Sequence, residues 1–144
     1  MKYQIGAPGR IVVVRFDDGD DILFELQKIA QDENIRAASF HLVGGIKRGR
    51  FVVGPEQEEM PPVPMWRELS ESHELVGFGT IFWQGEVPKI HFHGVYGKRD
   101  NVKTGCLREA AQVFLVLEAV IMEIKGVDAR RELDPASGMV LLRM

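Results

Sequence analysis

One stretch of this 144-residue chain carries the clearest spacing of an amphipathic helix, and that limits the fold more than any other feature. Ile22, Leu23, Leu26, Ile29 and Ala30 fall on one side of a 3.6-residue repeat. Asp20 and Asp21 stand where the positive end of a helix dipole favours anions, and Asn34 is a stop signal. Most other apolar runs are short, rich in β-branched or aromatic residues, or alternate with polar positions. A helix of about 14 residues is roughly 21 Å long and 10 Å wide, so it covers only part of a sheet built from so many strands. The sequence therefore predicts an α+β domain, a mostly antiparallel β-sheet packed against one main amphipathic helix, with sheet surface left for another cover.

The strand signals are specific enough to place. Residues 11–16 (Ile-Val-Val-Val-Arg-Phe) predict a first strand, largely buried. Residues 37–53 read as two strands or one bent strand, with Gly44-Gly45 at the bend and Gly49 at a bulge. Residues 54–64 form a loop, because three of the last four are proline and lack amide donors. Residues 65–83 predict two strands around the turn 70–72. Leu75, Gly77, Gly79 and Ile81 share one face, and the two glycines imply a close approach by backbone or ligand. Gln84-Gly85-Glu86 closes a hairpin. Residues 112–124 could form a buried helix, but Val, Phe and Ile favour a strand, which leaves Glu118 in apolar company and in need of a partner or an interface. Residues 127–133 predict a helical turn, 134–138 a turn and 139–142 a last strand.

Composition narrows the function classes. With 45% hydrophobic residues the chain, 1–144, suits a single domain with its own core. A formal charge of -3, from 18 basic and 21 acidic residues, gives no global attraction to phosphate backbones or anionic lipid. One cysteine cannot staple the fold, and no apolar run reaches the ~18 to 20 residues of a membrane span. A cytoplasmic protein is expected. Lys47-Arg48-Gly49-Arg50 is similar to the Arg-Gly-Arg core of a minor-groove hook, yet it lies between Ile46 and Phe51 in a strand, whereas such a hook is a free segment.

The chemistry concentrates in residues 87–107, which hold two of the four histidines and the only cysteine. Ile90 and Phe92 alternate with His91 and His93, so both imidazoles leave one face of a strand about 7 Å apart along the chain. Cys106 returns after a polar, turn-like segment. Zinc favours such nitrogen and sulfur ligands, and three protein ligands leave a fourth position for water or substrate. His91, His93 and Cys106 are therefore the candidate metal ligands, with zinc the expected ion. A polar pocket without metal is the other reading of the same residues. His41, between Phe40 and Leu42, is read as a partly buried, satisfied histidine and as the reserve ligand.

A cupin is excluded by particulars, since Gly97 and Lys98 fall where a carboxylate should follow the His-x-His pair and no histidine comes after His93. A cysteine nucleophile lacks a visible activating group, and no phosphate-cradling glycine loop is present.

The order Arg10-Ile-Val-Val-Val-Arg15, the helix, Gly44-Gly45-Ile46, Gly77-Phe-Gly-Thr-Ile81, Pro88-Lys-Ile-His-Phe-His93, Thr104-Gly-Cys-Leu107 and Asp134-Pro-Ala-Ser-Gly138 resembles the plants-and-prokaryotes-conserved (PPC) domain over nearly the whole chain. That resemblance implies an α+β fold with an antiparallel sheet, a homotrimer, and the predicted DNA-binding label of stand-alone prokaryotic members. In plant relatives AT-hooks contact DNA while the PPC domain supports assembly; no such hook is present here, so DNA is expected to be bound only weakly or indirectly. The family's His-x-His maps onto His91 and His93, and Cys106 stands where many relatives have histidine. Two function classes follow: a trimeric, metal-associated binding or assembly module, and a zinc-dependent enzyme acting on a small molecule.

Overall fold

In the computed structural model, which describes residues 1–144, two unusually long strands bend and pair with each other along most of their length. The elements run β1 (Ala7–Asp17), α1 (Ile22–Asp32), β2 (Ala37–Pro55), β3 (Pro64–Leu69), β4 (His73–Gln84), β5 (Val87–Lys98), β6 (Asn101–Lys125), β7 (Arg130–Asp134) and β8 (Met139–Arg143). Six strands form one antiparallel sheet in the order β1-β6-β5-β4-β2-β3, and because β2 also pairs with β6 the strands β2, β4, β5 and β6 close into a ring. β7 and β8 form a separate hairpin. The expected α+β architecture with one helix is thus the observed one.

Closure depends on the bends. The first part of β2 pairs with β4 and its last part with β3, while β6 follows its other edge from Ala38↔Glu123 to Val52↔Cys106. The β2–β6 register shifts at Gly44/Gly45. A Cβ at Gly44 would sit 2.5 Å from the Val116 carbonyl oxygen, and one at Gly45 2.4 Å from that of Phe114, so only glycine lets the two backbones come this close. Opposite them, Leu115 takes a left-handed conformation (φ 64°), and its N–H donates to Asp18 Oδ1 at 2.9 Å.

The ring encloses a core of Phe40, Leu42, Ile46, Phe51, Leu75, Ile81, Phe92 and Tyr96, all at most 2% exposed. Gly77 and Gly79 explain the packing: the Phe92 ring lies over Gly77, the Phe40 ring over Gly79, and the two rings stack at 5.8 Å. The close approach expected at these glycines is made by aromatic side chains, not by a ligand. The helix begins at Asp21, whose carboxylate accepts from the Leu23 and Phe24 amides at 3.0 Å, and it buries Ile22, Leu26 and Ala30. Gln27 donates to the Pro88 carbonyl at 3.3 Å, tying the helix to the start of the strand that bears the histidines. No helix is long and apolar enough to cross a membrane.

Three local expectations need correction. β1 is not largely buried: Phe16 is, but Ile11 and Val13 are 69% and 79% exposed, because β1 is the edge of the sheet and only its inner side meets the core. Residues 127–133 are not helical, since β7 finds a strand partner in β8 across the 134–138 turn. The polar segment before Cys106 is turn-like as expected, a tight hairpin in which Lys98 pairs with Asn101 and Arg99 takes the positive φ (53°) that the two-residue turn requires. Glu118 is exposed between Arg15 and Val43 and needs no buried partner within the chain.

Because Gly79 has an aromatic ring where a side chain would begin, Gly79→Ala should lower the unfolding free energy by about 1 to 3 kcal/mol in chemical denaturation. Its Cβ would lie 2.3 Å from Phe40 Cζ. Gly97→Ala, with nothing within 4 Å, serves as the control and should stay within about 0.5 kcal/mol.

Candidate metal centre

Strand register assembles this site. His91 and His93 are two residues apart on β5 and leave its outer face, away from Phe92 and the core. Across the ladders His93 lies directly opposite Cys106 of β6 and Phe78 of β4, while His91 lies opposite Thr80 of β4. The ligating atoms of His91, His93 and Cys106 all come within 4.8 Å of one another. The two Nε2 atoms are 3.1 Å apart, with the rings nearly perpendicular at 79°. Two nitrogens on one tetrahedral zinc would be about 3.3 Å apart at ordinary bond lengths, so the spacing fits a shared ion. Two neutral imidazoles can also reach this distance by sharing one proton.

The surroundings adjust the protonation states. Desolvation by the cleft walls, followed by the positive fields of Arg131, His93 and Arg108, holds His91 down at about 4, so its ring is neutral at physiological pH, the form that binds metals. Cys106 is 5% exposed, and burial raises its thiol above the ordinary value, an effect that Arg108 partly opposes. A bound cation would favour the thiolate.

These side chains line one wall of a cleft of about 810 Å³. The opposite walls come from the proline-rich stretch that ends at Trp66 and from Met139, Val140 and Leu141 of β8. Lys89, Arg108 and Arg131 also face it. None of the three was singled out from sequence. Arg131 was hidden by the helical reading of its segment; the signal that could have found it is the 134–138 turn, which makes the flanking residues a hairpin.

The other two histidines stand apart. His41 is exposed, contrary to the partly buried, satisfied residue expected, and its ring rests against Phe78 at 6.3 Å. It is not part of the cluster. His73 is 7% exposed, with Nδ1 2.8 Å from the Glu71 carbonyl oxygen.

The profile of the Plants and Prokaryotes Conserved (PCC) domain, the family also abbreviated PPC, matches residues 3–125. The chain belongs to the PCC-domain family. Solved structures agree in fold. A metal-containing protein from Archaeoglobus fulgidus superposes with a TM-score of 0.87 at 22% identity, over 100% of both chains. A PPC protein from Pyrococcus horikoshii gives 0.87 at 25% identity, over 100% of this chain and 98% of that one. A candidate DNA-binding protein from Ralstonia eutropha gives 0.77 at 22% identity, over 92% and 90%. No curated protein matches the chain. The PCC match includes all three clustered residues but ends before β7, so Arg131 and the β8 wall lie beyond the matched span of this PCC protein.

The basic segment of this PCC domain is not a free hook. Lys47 pairs with Asp18 at 2.8 Å. Arg50 contacts Glu68 at 3.2 Å and Glu109 at 2.5 Å, with its guanidinium 4.7 Å from the centre of the Trp66 ring.

Proposed function

We propose that this PCC-domain protein is a trimeric, metal-associated binding and assembly module in which His91, His93 and Cys106 hold one zinc ion. The convergence of two imidazoles and a thiol within 4.8 Å carries the metal reading. The ligand types suit zinc, which accepts both nitrogen and sulfur. Assembly is supported by the outer sheet face. Val43, Val76 and Val95 are cross-strand neighbours at 52%, 50% and 47% exposure, and Phe78 beside them is 69% exposed. They make an apolar patch on the side away from the core, the kind of surface that a second copy covers.

Direct DNA binding is disfavoured. Duplex contacts that bind well neutralise ~6 to 10 phosphates, whereas Lys47 and Arg50 already have carboxylate partners. The DNA-binding name of the Ralstonia relative therefore fits this chain best as an indirect or partner-mediated role.

The cleft favours a second reading, a zinc-dependent enzyme acting on a small molecule. Its volume of about 810 Å³ suits a small ligand, and the histidines are open to it. Bound zinc would supply Lewis-acid chemistry there. The chain's own residues would orient the ligand, His91 as a neutral imidazole and Arg108 and Arg131 as fixed positive charges.

Protein purified without added metal should carry about one equivalent of zinc by elemental analysis, and the double variant His91→Ala, His93→Ala at least tenfold less. Substoichiometric metal in the unaltered protein, or equal metal in the variant, removes the assignment. Light scattering at micromolar concentration should give three times the 16.2 kDa chain mass; a monomer mass defeats the trimer. Gel-shift titration with duplex DNA at about 150 mM salt should show no complex below micromolar protein. A sub-micromolar complex abolished by Arg48→Ala with Arg50→Ala would make the basic strand a contact surface after all.

A further inference from the structure

We infer that the cleft beside the histidine and cysteine cluster binds a small organic carboxylate, its charged end held by Arg131 and Arg108 and its apolar body laid along Pro55, Trp66 and Leu141. The inference rests on the small-molecule reading of the cleft, not on the presence of a metal.

Arg131 carries the argument. It is only 8% exposed, yet its one side-chain hydrogen bond within the protein runs from Nη2 to Thr80 Oγ1 at 3.3 Å, a long contact to a neutral acceptor. A guanidinium has five N–H donors and stays charged in proteins, so most of this group's capacity is unused. None of the chain's ion pairs includes Arg131, Arg108 or Lys89. Its unpartnered nitrogens are open to the cleft and not sealed in the core, and burial, followed by the like charge of Arg108, holds the guanidinium below its ordinary value.

Strand alternation adds to this field. Lys89 lies two residues before His91 on β5, and Arg108 two residues after Cys106 on β6, so the cations extend the same outer face as the cluster. Among the cleft residues Glu109 is the only acid, and Arg50 engages it at 2.5 Å. A chain of net charge -3 has thus collected three uncompensated cations in one cleft. A carboxylate matches the planar guanidinium fork in bidentate fashion. The remaining wall is largely proline, tryptophan and aliphatic side chain, and no helix N-terminus opens into it, which favours an organic anion with an apolar body over a bare phosphate.

Isothermal titration of the full chain with benzoate, benzamide and inorganic phosphate tests this, on protein stripped with a chelator and on zinc-loaded protein. Benzoate should bind both forms, with benzamide and phosphate each at least tenfold weaker. Arg131→Met should weaken benzoate at least tenfold, and Arg131→Lys should recover part of the loss. The His91→Ala, His93→Ala protein should still bind benzoate, so a failed zinc assignment would leave this site standing. Equal binding of benzoate and benzamide, phosphate as tight as benzoate, or full affinity in Arg131→Met overturns the inference. Benzoate binding confined to the zinc-loaded protein overturns it too, by assigning the anion to the metal. Should Arg131→Met not fold, exposed Arg108 replaces it: Arg108→Ala should lower benzoate affinity severalfold, and unchanged affinity overturns the proposal.

Discussion

Everything in this molecule depends on β2 and β6 lying against each other through a bend. Each strand is too long to stay flat, and each serves two neighbours on its other edge: β4 then β3 for β2, and β5 then β1 for β6. Closing the ring in this way pairs both edges of β2, β4, β5 and β6 and leaves only β1 and β3 as edge strands. The condition is steric. At Gly44 and Gly45 a side chain would meet the Val116 and Phe114 carbonyl oxygens, so the ring closes only where the chain has no Cβ.

Closure also divides the residues between two environments. Alternate positions of β4 and β5 point inward to Phe40, Phe92 and Tyr96, and the others point outward. His91 and His93 fall on the outside, where a polar side chain keeps access to solvent or ligand, and the pairing of β5 with β6 brings Cys106 to them. The helix has no part in covering that outer face; it packs on β5 and β6 from the core side. What does approach from outside is the β7–β8 hairpin, held near β4 in part by the contact of Arg131 with Thr80. The hairpin turns an open sheet surface into a cleft.

The electrostatics of that cleft oppose those of the whole chain. On the basic strand, Lys47 and Arg50 have carboxylate partners close by, and most exposed charges elsewhere behave as an ordinary solvated surface. In the cleft, positive groups lack such partners and lie against apolar walls, where solvent screens them less. Net charge therefore says little about what this surface attracts, and local pairing says much more.

The fold class, the single helix, the glycine bend, the hairpin into the histidine strand and the shared face of His91 and His93 were all legible in the sequence, because each follows from local spacing: 3.6 residues for the helix, two for the strands, and a turn residue at each break. Family membership was legible for the same reason, since the order of these local motifs survives in the chain. Ring closure, the exposure of β1 and the strand character of β7 were not, because strand partners lie far apart in sequence and burial is decided by what packs on a face. His41 shows this best: flanked by Phe40 and Leu42 it read as partly buried, yet alternation turns it outward while its neighbours enter the core. The cluster itself stood between the two. Alternation put the two histidines together, but only the β5–β6 register set Cys106 beside them, and only the folding back of a C-terminal hairpin brought Arg131, some 25 residues later, into the same cleft.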